Sequence, residues 1–283
     1  MGEFLRALGS PDIPFLRYAL IAGILASVSF GIVGSYVVAR RITYIAGAIA
    51  HCVLGGIGAA LYLQETHGFT WLHPMYGATV SAVAAAVVIG LVSLYARQRE
   101  DTVIGALWAV GMAVGLLFIA ETPGYIDPMS YLFGNILMVS KGDLWLIVCL
   151  DALVAGLGLL FYNKLLAVCF DEEFARLRGV RVDLYYLLLL CLTALTVVLL
   201  VAVVGVVMVV ALLTLPAATG GQLARRMCHM MALAVVLCAV FTTAGLGLSY
   251  AYDIPSGPTI ILFGGAVYLF VAVGKRFWRR SAS

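Results

Sequence analysis

Between Leu184 and Leu223 the chain carries no charged side chain at all. One helix over that run, about 40 residues at ~1.5 Å each, would be ~60 Å long, twice the ~30 Å hydrocarbon thickness of a bilayer. A stretch this apolar therefore has to fold back on itself within a membrane. Gly205, near its middle, is the expected break. The rest of the chain has the same character: 64% of its residues are hydrophobic and 11% are charged. Soluble domains run at roughly 45–50% apolar and about 25% charged. An all-α, polytopic integral membrane protein is the class this implies.

The basic residues set the topology. Of the 17 Lys and Arg, all but Arg6, Arg17 and Lys141 fall into five clusters: Arg40/Arg41, Arg97/Arg99, Lys164/Arg176/Arg178/Arg181, Arg225/Arg226 and Lys275/Arg276/Arg279/Arg280. Loops rich in Lys and Arg stay in the cytoplasm, so each interval between clusters must cross the membrane an even number of times. Ile42–Ala96, Val103–Tyr162 and Arg226–Lys275 each hold two apolar segments split by a polar patch. With the folded-back Leu184–Leu223 and the opening segment Tyr18–Ala39, the expectation is nine spans, N-terminus outside and C-terminus inside, forming a single transmembrane domain over residues 1–283. The first segment is too long for a signal-peptide core and reads as retained. Trp71, Tyr76, Tyr125, Tyr131, Trp145, Tyr185, Tyr250, Tyr252, Phe277 and Trp278 are expected in the interfacial aromatic belts.

Phe170–Asp183, FDEEFARLRGVRVD, is the longest polar interruption and must lie in water between spans. Glu172–Leu177 has helix formers with acids at its front, and Gly179 is the expected stop. Phe174 and Leu177, three apart, share one face of that short helix. The segment reads either as a solvated loop or as an amphipathic knob for a soluble partner. On the outer side the topology gathers Glu3, Asp12, Glu65, Glu121, Asp127, Asp143 and Asp253, with His67 and His73. Such a mouth concentrates cations, although loops poor in Lys and Arg produce the same picture by themselves.

Two ionisable residues fall well inside spans: His51 in the second and Asp151 in the fifth. Buried ionisable groups in membranes mark either a transport path or a polar contact within the bundle. His51, an imidazole able to ligate a transition metal, fits both readings. Asp151 fits a structural contact better, because its span holds no basic or histidine partner. Asp127 and Asp253 are the outer acids best placed to meet a metal first, each beside a turn that returns the chain to the membrane. His229 follows Arg226 and belongs at the inner interface.

Other functions are excluded by what the sequence lacks. It contains no G-x-x-x-x-G-K-[ST] phosphate loop, no H-E-x-x-H and no G-x-S-x-G. The cysteines at 52, 149, 169, 191, 228 and 238 form no C-x-x-C pair and read as small apolar packers. Gly111 and Gly115 form a G-x-x-x-G that suits close helix packing. The chain is thus expected to be no enzyme, to bind no nucleic acid and to take any ATP-derived energy from a partner. The alternative from another class is an ATP-independent secondary transporter or cation channel.

Six landmarks carry a family resemblance: GSYVVARRITYIAGAIAHCVLGG (34–56), DTVIGALWAVGMAVGLLFI (101–119), DPMSYLFGNIL (127–137), FDEEFARLRGV (170–180), VALLTLPAATG (210–220) and YDIPSGPTIIL (252–262). In this order, over nearly the whole chain, they resemble the membrane permease subunit of the ABC importers for zinc, manganese or chelated iron. The resemblance implies a permease homodimer around a central path in the lipid bilayer of a prokaryotic plasma membrane. It also implies two copies of a cytoplasmic ATPase subunit and an extracytoplasmic metal-binding protein that delivers the ion. The divalent metal is cargo, and no permanently bound cofactor is implied. Asp171–Gly179 then matches the coupling helix, with Asp171, Glu172, Glu173, Phe174, Arg176, Leu177 and Gly179 meeting the ATPase. Many members carry an Asp four residues before the histidine of the second span; here that position is Gly47, and the family's Pro nearby is Gly55. An intramembrane metal site built on His51 is therefore weaker here or drawn from other helices.

Overall fold

The computed structural model describes residues 14–69, 71–95, 100–123, 132 and 141–281. These form eleven helices: α1 (Pro14–Ala39), α2 (Thr43–His67), α3 (Pro74–Tyr95), α4 (Glu100–Glu121), α5 (Lys141–Leu160), α6 (Tyr162–Phe170), α7 (Glu172–Leu177), α8 (Val182–Val204), α9 (Val206–Leu223), α10 (Met227–Tyr252) and α11 (Ser256–Ser281). Among the described residues, seven are each long and apolar enough to cross a membrane, and the bent pair α5–α6 makes an eighth. The helix α8 runs for 23 residues, of which Val182–Val198 is an apolar stretch shorter than those seven. The uncharged run breaks at Gly205, whose φ of 84° and ψ of 155° lie where essentially only glycine is unstrained.

The two ends of that run return to the same level of the bundle. Near its start, the Tyr186 hydroxyl donates to Ser93 Oγ at 3.2 Å, close to the C-terminal end of α3. Near its finish, Lys275 Nζ donates to the Gln222 carbonyl. Arg40, at the end of α1, pairs with Glu172 and lies 5.4 Å over the Tyr186 ring. A cavity that touches Asp171 and Phe174 also touches Arg226, four residues past Gln222, so Arg40, Glu172, Tyr186, Gln222 and Lys275 mark one end of the bundle, as the topology argument requires of the basic clusters. Pro216 sits inside α9 and cannot donate to the Leu212 carbonyl; the Cys238 thiol faces that oxygen at 4.0 Å.

α5 ends at Leu160, inside the Val103–Tyr162 interval expected to hold the fifth span, and α6 turns away from it by 69° at Phe161, so Lys164 rides on a separate short helix. One expectation needs correction. Tyr185 is not a belt residue. It is buried, its ring 5.6 Å from Phe161 and 5.2 Å from the Lys164 ammonium, because the bend swings those two groups over it. Trp71, Tyr76, Trp145, Tyr250, Tyr252 and Phe277 are exposed as expected. Tyr125 and Tyr131 lie outside the described residues, as do Arg97 and Arg99.

Candidate functional site

The polar segment 170–183 folds as its sequence dictates. Asp171 adopts extended backbone and its carboxylate accepts from the Phe174 amide at 2.9 Å, capping α7 at its N-terminus. The acids Glu172 and Glu173 occupy the first turn, where the helix dipole favours them. At the other end, the Val180 amide donates to Ala175 O and the Gly179 amide to Arg176 O, both at 3.0 Å, with Gly179 at φ 76°. That is a Schellman closure, the reason the helix stops where glycine stands. Ala175, 1% exposed, is the face turned inward, whereas Phe174 at 55% and Leu177 at 86% are left in the open. Arg176 pairs with Asp183 at 2.6 Å, fixing the return to α8. Beside this helix lies a cavity of about 560 Å³ lined by Phe170, Asp171, Phe174, Arg226 and Met227 among others. Two exposed apolar side chains thus stand on a doubly capped helix, next to a cavity at the basic end of the bundle.

His51 lies on α2 and is partly buried. Its imidazole stacks on the indole of Trp108 from α4, centroids 4.6 Å apart and planes 22° from parallel. Its Nδ1 is buried with no hydrogen-bond partner among the described residues. The ring therefore keeps one nitrogen without a partner among the described residues, which neither of the two sequence readings required. Trp108 also accounts for Gly47. A Cβ at position 47 would stand 2.9 Å from Trp108 Cζ3 and 3.0 Å from Cη2, so the indole occupies the space a side chain there would need. Further along, α2 and α4 meet backbone to backbone: a Cβ at Gly58 would lie 2.5 Å from Gly115 O, and one at Gly55 would lie 2.9 Å from Gly111 O. The G-x-x-x-G at Gly111 and Gly115 thus serves helix packing, as its spacing suggests.

Asp151 is buried where α5 meets α1, and Ser29 Oγ donates to its Oδ1. Its Oδ2 has no partner among the described residues. Asp151 thus makes one polar contact within the bundle, to α1. Asp253 is exposed at the end of α10 in left-handed backbone, φ 53° and ψ 46°, its amide donating to Ser249 O. Asp127 lies outside the described residues. Among the described residues no three His, Cys, Asp or Glu side chains come together as a metal site. His229 is exposed in the first turn of α10, beside Arg226.

Sequence reasoning missed Trp108 and Arg40. Trp108 could have been found by depth: it follows Arg97 and Arg99 by 11 and 9 residues, much as His51 follows Arg40 and Arg41 by 11 and 10, which puts both at one level of the bundle. Arg40 was read only as a topology marker, and nothing in the sequence pairs it with Glu172.

A bundle of membrane-crossing helices that presents a short capped helix at its basic end defines a multi-pass membrane permease. The model of the ABC 3 transport family matches residues 12–275. The chain is 38% identical over 269 residues to a probable metal transport system membrane protein of Chlamydia trachomatis, with 95% of this chain and 92% of that one covered. It is 33% identical over 273 residues to the manganese transport system membrane protein MntC of Halalkalibacterium halodurans, covering 94% and 91%. Its fold superposes on a chain of the solved PsaBC complex of Streptococcus pneumoniae with a Fab at a TM-score of 0.83, with 30% identity, covering 95% and 94%. The chain belongs to the ABC 3 transport family.

Proposed function

We propose that the chain is the membrane-spanning subunit of an ATP-driven importer of a divalent transition metal, manganese foremost, in a bacterial plasma membrane. Membership of the ABC 3 transport family carries this reading and favours it over an ATP-independent transporter or channel. Manganese leads zinc and iron because curated relatives such as MntC of Halalkalibacterium halodurans bear that metal in their names. The partners on this reading are a second copy of the permease, two copies of a cytoplasmic ATPase and an extracytoplasmic metal-binding protein. ATP hydrolysis takes place on the ATPase. α7 docks through Phe174 and Leu177, with Glu173 and Arg176 at the polar rim, while Glu172 is taken up by its pairing with Arg40. The ion meets Asp127 and Asp253 at the outer mouth and then His51, whose uncommitted nitrogen supports a ligand role better than a hydrogen-bonding one.

The test is reconstitution. Permease, its ATPase and its binding protein in proteoliposomes should take up manganese only with ATP inside. Manganese accumulation that proceeds without the ATPase would refute the ATP-driven reading and return the channel or secondary transporter.

A further inference from the structure

The end of α1 holds more than a turn. Tyr36 donates its hydroxyl to the Gly158 carbonyl of α5 at 2.9 Å, and its own carbonyl faces the Cys169 thiol of α6 at 3.8 Å. One turn further, the Arg40 guanidinium pairs with Glu172 of α7 and lies over the Tyr186 ring of α8. The whole arm α5–α6–α7, bent by 69°, is therefore tied to the last two turns of α1. The corner that follows is stiff. The Arg41 amide donates to Val38 O at 3.1 Å and the Ile42 amide to Val37 O at 3.0 Å, closing α1 with Arg41 in left-handed backbone at φ 63°. An arginine in that region is strained by roughly 1–2 kcal/mol and persists only where its surroundings fix it.

We propose that Arg40 is a positioning residue for transport: its guanidinium, held between the Glu172 carboxylate and the Tyr186 ring, ties the coupling helix to the α1–α2 corner and passes the displacement of that helix into the membrane. This rests on the reading of α7 as the element that meets the ATPase. The chemistry suits the task. A guanidinium can hold a carboxylate in its plane while its face lies on an aromatic ring, which fixes direction as well as distance. Arg40 and Glu172 are both partly shielded, with side chains 23% and 36% exposed, so water screens their attraction less than at an open surface. Phe174 and Leu177 are exposed and remain available to a partner. The same short helix thus has one face for docking and a separate side-chain link to the bundle.

The experiment uses the complete importer in proteoliposomes and reads two quantities: ATPase retained per permease on co-purification, and manganese taken up per ATP hydrolysed. Arg40→Gln leaves Arg41 to mark the inner side, so the topology holds. It should keep the ATPase bound while uptake per ATP falls about tenfold, equivalent to ~1.4 kcal/mol of lost coupling. Glu172→Gln should produce the same fall, and the double variant should be no worse than either single one, because both remove one contact. A wild-type ratio in Arg40→Gln, or falls that multiply in the double variant, would overturn the proposal. If Arg40→Gln does not accumulate, Glu172→Gln decides alone, and a wild-type ratio there overturns it equally. Failure of the underlying reading looks different: Phe174→Ala would then leave both ATPase retention and the ratio at wild-type values.

Discussion

Gly47 is the position where this chain departs most informatively from the pattern its family resemblance leads one to expect, and it can be tested by restoring the acid. In Gly47→Asp the new Cβ must find room against the Trp108 indole, 2.9 Å away at Cζ3 and 3.0 Å at Cη2. Comfortable carbon contacts are about 3.5–4.0 Å, so the ring has to give way by roughly half an ångström or more. It cannot slide freely, because His51 is stacked on it at 4.6 Å. Overpacking of this kind costs ~1–3 kcal/mol. A carboxylate at mid-bilayer adds ~2.5–3.5 kcal/mol, and position 47, only ~7 Å into its helix, takes the lower end. The sum is about 3.5–5.5 kcal/mol, or ~7–22 °C in melting temperature at ~2–4 °C per kcal/mol. Trp108→Ala alone should cost ~3 kcal/mol, the low end for a large aromatic, since the ring is only partly buried. The double variant should be ~1–3 kcal/mol better than the sum, because the indole that obstructs the aspartate is gone. Melting of the detergent-solubilised permease, followed by size-exclusion fluorescence, gives all three numbers. An unchanged midpoint in Gly47→Asp would refute the steric argument, as would a double variant whose loss equals the sum of the single losses.

Gly205→Ala forces a side chain into a glycine-only backbone region at φ 84°, and should lower the melting temperature by the equivalent of ~1–3 kcal/mol or prevent accumulation in the membrane; an alanine variant with wild-type melting would contradict the break between α8 and α9. Asp171→Ala removes the cap on the Phe174 amide and should cost ~1 kcal/mol locally, read as faster hydrogen exchange across Glu172–Leu177 with the spans unchanged. Phe174→Ala, an exposed position, should leave melting intact and weaken retention of the ATPase on co-purification. His51→Gln keeps a hydrogen-bonding group without an imidazole; on the ligand reading it should abolish manganese uptake while the assembled importer keeps its basal ATPase rate, and full uptake would make His51 structural.

The parts of the fold legible in the sequence are those fixed by local chemistry. The bounds of α7 follow from Asp171, the paired glutamates and Gly179, all within a few residues of one another. The break at Gly205 follows from a length no single span can use. The parts that were not legible depend on which helix faces which. Soluble helices announce their inward face by an apolar stripe, but spans here are apolar all round, so that signal vanishes. Nothing in GALWAVGMAVG tells that Trp108 covers Gly47 rather than facing lipid, or that Tyr185 lies under Phe161 rather than in a belt. The bend at Phe161 has no proline to announce it, and the backbone there, φ −98° and ψ 17°, is open to any residue. For the candidate site the same division holds: His51 was legible as an intramembrane imidazole, and its uncommitted nitrogen was not.

The helix that starts at the Arg40–Arg41 corner is the one that carries His51. Thr43 opens α2, and His51 follows ~12 Å along it. From there outward α2 and α4 touch through the backbone at Gly55 against Gly111 and Gly58 against Gly115, with no side chain between them. Helices in such contact lose packing over several turns if they separate, so the pair is better able to tilt as one body than to open. A push entering at Arg40 would then carry His51 and Trp108 together and preserve their stack. On this argument the stack belongs to the wall of the path, and the parts that change shape during transport are the elements not joined in this way: the bent arm α5–α6 and the pair α8–α9 on either side of Gly205. Spin labels or crosslinks across the α2–α4 contact should therefore report one distance with and without ATP, while pairs across Phe161 and across Gly205 report two.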